Sequence, residues 1–137
     1  MLANYLMLVS ALIMATLGSA HWLLTYRGPK LLPRDRTLKE AMMQTSPVIT
    51  TQTTMWRAWI GFNVSHSLGA ILFGLVYGYL GWVHGELLFH SWFLLLVGLI
   101  MLLTYFVLAM LYWFITPILG IGLSLICFVL SIVVSRL

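Results

Sequence analysis

Charge is what this sequence has least of. Of its 137 residues, 7% are Asp, Glu, Lys or Arg, and only three are acidic. Soluble domains carry roughly a quarter charged residues, so a water-facing shell of ordinary composition is excluded. Cysteine is nearly absent as well. The one thiol, Cys127, lies in an apolar run; an intrachain disulfide is excluded, and the residue reads as a small packed hydrophobe. Motifs for phosphate cradling, zinc proteolysis or serine hydrolysis are missing too, which favours a non-enzymatic role. What fills the chain instead is 62% hydrophobic residues, with a mean hydropathy of +1.04. This predicts an integral membrane protein, an all-α four-helix bundle with a basic loop between its first two spans.

A spanning helix needs about 20 mainly apolar residues. Four stretches meet that need, at about 2–24, 56–80, 88–113 and 117–134, in a single transmembrane domain of 1–137. The first is read as a retained helix rather than a signal peptide, because no Lys or Arg precedes it and it is long for such a segment. The run from Leu87 to Val134 is too long for one span. Thr116-Pro117 divides it, with Thr116 as N-cap and Pro117 at the first helical position. Tyr112, Trp113 and Phe114 would then sit at a membrane interface.

The loop 27–55 holds Arg27, Lys30, Arg34, Arg36 and Lys39, with Pro29, Pro33 and Pro47 as breaks. Thr37 to Gln44 reads as a short helix on the membrane surface, with Leu38, Ala41, Met42 and Met43 on or near its lipid side. Ser46 to Thr54 reads as extended or irregular. The positive-inside bias places this loop in the cytoplasm and both termini outside, with Arg136 as a weak counterweight. Topology and anionic lipid headgroups account for the formal charge of +4 better than nucleic acid does. The expected partners are membrane lipids and other membrane subunits or a second copy, with no nucleic acid.

Within the second span, Ala70, Gly74 and Gly78 recur every four residues, and Gly61, Ser65 and Gly69 do so on a neighbouring face. Small residues at this spacing let membrane helices approach closely. Trp59, Asn63, His66 and Ala70 share another face. Gly18, His21 and Thr25 share one on the first span. His21 lies roughly 9 Å of helix rise from Arg27, and His66 roughly 13 Å from Arg57. Both histidines are therefore expected at similar depth. The sequence places His21, Arg57, Asn63 and His66, with Ser67 and Thr25, around one polar pocket open toward the loop.

Polar groups at bilayer depth must meet protein, water or ligand. Three readings stay open. The first is interhelical hydrogen bonding that fixes the bundle. The second is a site for a lipid-like molecule, a quinone or a phospholipid headgroup, with Arg57 on its charge. The third is axial ligation of a haem b by His21 and His66. A separate cluster, His84, Glu86 and His90, is a weak metal candidate, since His and carboxylate suit Zn or Cu. Acid–base chemistry is disfavoured, because Glu86 lies in the turn remote from the His21–His66 pair.

The run Thr53-Thr54-Met55-Trp56-Arg57-Ala58-Trp59-Ile60-Gly61-Phe62-Asn63-Val64-Ser65-His66-Ser67-Leu68-Gly69 resembles the signature segment of a family of small four-helix bacterial inner-membrane proteins with no assigned activity. The resemblance implies the four-span architecture and a bacterial inner membrane. It carries over no catalytic or binding residue.

Overall fold

The computed structural model describes residues Met1–Leu137. Its elements, in order, are α1 (Leu2–Tyr26), α2 (Arg36–Gln44), α3 (Met55–Val83), α4 (Gly85–His90), α5 (Trp92–Tyr112) and α6 (Ile115–Val134). The fold is all-α, and α1, α3, α5 and α6 are each long and apolar enough to cross a membrane. The chain is a multi-pass membrane helical bundle. Its contacts divide it into two units, Met1–Leu17 with Ala70–Leu137, and Gly18–Gly69.

In the larger unit, buried residues recur at intervals of three and four along each helix. On α1 they are Ala3, Met7, Ser10, Ala11 and Met14, and on α6 Ile121, Ser124, Cys127, Phe128 and Ser131. That spacing draws one stripe down each helix, as knobs-into-holes packing requires. The rest of the circumference is large and apolar; Leu12, Leu75, Ile100 and Leu119 are all more than half exposed. An exterior of this kind is solvated by acyl chains rather than water.

Lipid tails are as apolar as leucine, so packing must come from close approach and polar contacts. Gly74 provides the first: a Cβ there would lie 2.6 Å from the Ala11 carbonyl oxygen and from the Ala15 Cβ. Gly98 opens room for a ring cluster, since its Cβ would lie 2.6 Å from Phe128 and 2.7 Å from Tyr77. Phe73 and Tyr77 stack at 4.5 Å, and Tyr77 meets Phe128 edge-on at 5.6 Å. The Tyr77 hydroxyl donates to the Leu94 carbonyl at 2.6 Å, so its polar tip is also satisfied.

Two boundaries differ from the sequence expectation. The third apolar stretch is not one helix from 88. It begins as α4, breaks at Ser91 (φ −89°, ψ 99°) and restarts as α5, where Ser91 Oγ accepts from the Leu94 N–H at 3.3 Å. A side-chain acceptor that caps the new helix makes the break inexpensive. The last helix begins at Ile115, after an extended Phe114, so Thr116 is not its cap and Pro117 is its third residue. The first four N–H groups of a helix have no intrahelical acceptor, which is why proline is tolerated there.

In the smaller unit, α1 ends at Tyr26 and the chain turns at Gly28, whose φ of +89° favours a residue without a Cβ. A turn from Pro29 to Leu32 follows, its Leu32 N–H donating to the Pro29 carbonyl at 3.1 Å. Asp35 caps α2, accepting from the Thr37 N–H and hydroxyl, both at 2.8 Å. Those two bonds, the hydroxyl's first, hold the Asp35 carboxyl below its ordinary range. The segment Thr45–Met55 closes on itself through the Met55 N–H to the Thr45 carbonyl at 2.8 Å. Thr54 then starts α3, its Oγ1 accepting from the Arg57 N–H at 3.4 Å.

Candidate functional site

The polar residues of the smaller unit come from the last turns of α1 and the first turns of α3. His21 and Asn63 are joined directly, His21 Nε2 to Asn63 Oδ1 at 2.9 Å. The Asn63 amide nitrogen donates to the Trp59 carbonyl one turn earlier, at 2.8 Å. That bond fixes the amide with its oxygen toward His21. His21 Nε2 therefore carries the proton and donates. The His66 ring meets the His21 ring edge-to-face, centroids 5.6 Å apart.

The remaining members turn back on their own helices. Ser67 is fully buried, and its hydroxyl donates to the Asn63 carbonyl at 2.7 Å. Thr25 is buried too, donating to the His21 carbonyl at 2.8 Å. Hydroxyls bonded to the i−4 carbonyl are a local solution that any apolar helix permits. Trp56 and Trp59 stack at 5.1 Å, with Lys39 Nζ 5.1 Å from the Trp56 centroid.

The structure thus brings together His21, Asn63 and His66, with Ser67 and Thr25 beside them. It does not bring Arg57. That residue is exposed, and its contact is the backbone N–H on Thr54. The reason is helical register: Arg57 stands six positions before Asn63, about 120° around the helix from it, and two before Trp59, about 160° around. The small-residue stripes also separate. Gly74 and Gly78 pack on α1, whereas nothing lies within 4 Å of a Cβ built at Gly61, and Ser65 is exposed.

Haem iron takes the unprotonated ring nitrogen of an axial histidine; with Nε2 donating to Asn63, His21 would have to give that bond up or ligate through Nδ1. The metal candidates at the other end of α3 do not converge. His84 reaches the Tyr79 hydroxyl at 3.4 Å, and His90 Nδ1 bonds the backbone carbonyl of Glu86, not its carboxylate, at 2.8 Å. No group of three His, Cys, Asp or Glu side chains is placed to hold a metal ion. His84, Glu86 and His90 instead line part of an open cleft of about 820 Å³, with Asn4, Trp82 and Ser135.

Sequence reasoning missed two polar devices in the larger unit. Ser10 Oγ and Ser124 Oγ lie 2.9 Å apart, and Ser124 also donates to the Ser10 carbonyl at 3.0 Å. The signal was present, since Gly120, Ser124 and Ser131 recur at small-residue spacing on one helix face. Arg136 donates to the Phe89 carbonyl at 2.8 Å and lies 4.6 Å over the Trp92 ring. It serves a carbonyl left over where α4 ends, a partner no local pattern announces.

Every buried side-chain nitrogen and oxygen has a hydrogen-bond partner within the chain. Comparison with protein-family models, with curated proteins and with solved structures gives no match in any of the three.

Proposed function

We propose that this chain is a small structural or accessory subunit of a larger membrane assembly in a bacterial inner membrane, its basic loop cytoplasmic. The observation that carries the reading is the complete internal satisfaction of its buried polar side chains. A reaction centre or ligand site at bilayer depth keeps polar groups available for what it binds. Here His21 and Asn63 serve each other, and Ser67 and Thr25 serve backbone. Such bonds pin helices, each worth on the order of 0.6 kcal/mol. The exposed Gly61–Ser65 face supports the same reading, because it offers a second membrane helix a close approach that this chain does not use.

The test is crosslinking in native membranes followed by native mass spectrometry after mild solubilisation. The expected result is a defined complex with a companion subunit or a second copy. A lone monomer under both conditions defeats the proposal. One observation favours a second reading, a haem- or quinone-binding redox protein: the approach of the His21 and His66 rings to 5.6 Å. An absorption spectrum with a Soret band lost in His66→Ala, or a quinone in organic extracts lost in Asn63→Leu, would replace the structural account.

A further inference from the structure

The segment joining α1 to α3 holds features that internal packing leaves unexplained. The first is a cavity of about 630 Å³ lined by Arg34, Arg36, Lys39 and Glu40, with Leu32 and Pro33 in its apolar wall. Its lining sets three cations against one carboxylate, a charge that suits an anion. The second is the turn closed by the Thr50 N–H on the Pro47 carbonyl at 3.2 Å. Its two central residues, Val48 and Ile49, are 108% and 91% exposed. Turn centres ordinarily carry Asn, Asp, Gly or Ser, so two bare aliphatic side chains at this place call for an apolar medium. The third is α2, nine residues with none buried in the chain. Helices so short are marginal in water and hold when a surface supports them.

We infer that the α1–α3 connection is a membrane-surface anchor that binds an anionic phospholipid, with the phosphate in the Arg34–Arg36–Lys39 cleft and the Val48–Ile49 tip among the acyl chains. The connection starts and ends at membrane-spanning helices, so it is tethered beside a headgroup layer. Arg34 and Arg36 are exposed and offer forked donors to phosphate oxygens. Leu32 and Pro33 give the glycerol and first methylenes an apolar wall. Lys39 is half-buried beside Trp56, an amphipathic ring of the kind that collects at headgroup level. A soluble anion or a nucleic acid would use the cations but leaves the aliphatic tip without purpose. The inference is independent of the assembly proposal, since a monomer and a subunit would anchor alike.

The experiment uses the full chain, delipidated in detergent and titrated with short-chain phosphatidylglycerol or phosphatidylcholine, with retained lipid counted by native mass spectrometry. Each cation near an anionic surface contributes roughly fivefold in affinity. The expected result is a preference for phosphatidylglycerol that falls about a hundredfold in R34Q/R36Q/K39Q and about 25-fold in R34Q/R36Q, which keeps Lys39 on Trp56. In parallel, a fluorophore on Ile49→Cys is placed in phosphatidylglycerol vesicles, with the unsubstituted chain as labelling control. Quenching by brominated acyl chains rather than by aqueous iodide is expected. Three outcomes overturn the inference: unchanged lipid preference in both charge variants; inorganic phosphate competing at the lipid's own concentration; or an Ile49 reporter open to iodide.

Discussion

The two units satisfy the same constraint with different materials. In Met1–Leu17 with Ala70–Leu137, helices are held by shape, through glycines that admit backbones and rings and by serines whose short hydroxyls bond where helices touch. In Gly18–Gly69, longer polar side chains meet, His21 on Asn63 and His21 against His66, and more than half of the unit is connection rather than span. The contrast teaches that a polar residue at bilayer depth is not by itself a functional mark. Ser10 and Ser124 are as buried as any residue here, and their hydroxyls bond across the helix contact. His21 and Asn63 use chemistry that enzymes also use, yet the bonds run between themselves.

Breaking the shape-held unit should have the largest effect. Phe128→Ala removes a fully buried ring from contact with Phe73 and Tyr77 and should cost about 3 kcal/mol of stability, read by reversible denaturation in mixed micelles. Gly74→Val should cost about 1–3 kcal/mol, because the atom it strikes, the Ala11 carbonyl oxygen, is backbone and cannot swing aside. Gly61→Val, with nothing within 4 Å, sharpens the comparison: its melting temperature as a monomer should be close to that of the parent chain.

Smaller changes are expected from single polar bonds. Asn63→Leu removes the acceptor of His21 and should lower stability by about 1 kcal/mol, with a changed His21 imidazole resonance in NMR spectra. Ser10→Ala with Ser124→Ala together should cost less than the sum of the singles, because each single variant leaves one hydroxyl without its partner. A loss from Asn63→Leu far above that of the serines would say the histidine cluster is the stronger fastener of the two.

The smallest effect concerns pH. Asp35 has a lowered folded-state pKa, so its cap on α2 is present above the unfolded carboxyl value of about 3.9 and is lost as pH falls through the lowered one. Protection of the Thr37 amide, taken against its intrinsic exchange rate at each pH, should fall below that window. In Asp35→Asn, whose amide oxygen caps without titrating, the protection should show no such step.

Much of the fold was legible because lipid imposes a one-dimensional rule. An apolar run of sufficient length forms a helix with its own hydrogen bonds, so four spans and their near-boundaries follow from hydropathy alone. The face shared by Asn63, His66 and Ala70 was equally legible, since helical geometry fixes it without neighbours. Arg57 was legible by the same rule: nearness in sequence suggested a shared pocket, but helical register turns it away from the Asn63 face. Ser91 illustrates the limit, for nothing in a continuous apolar run announces a break that a single hydroxyl stabilises.

Composition alone determined that this chain lives in a bilayer as helices, because so few ionised groups leave no other solvent for its surface. Only the tertiary structure decided which polar groups answer one another, Ser10 to Ser124, His21 to Asn63, Arg136 to Phe89. The physical reason is distance: hydropathy is a sum along the chain, whereas a hydrogen bond forms within about 3 Å between residues the sequence holds far apart.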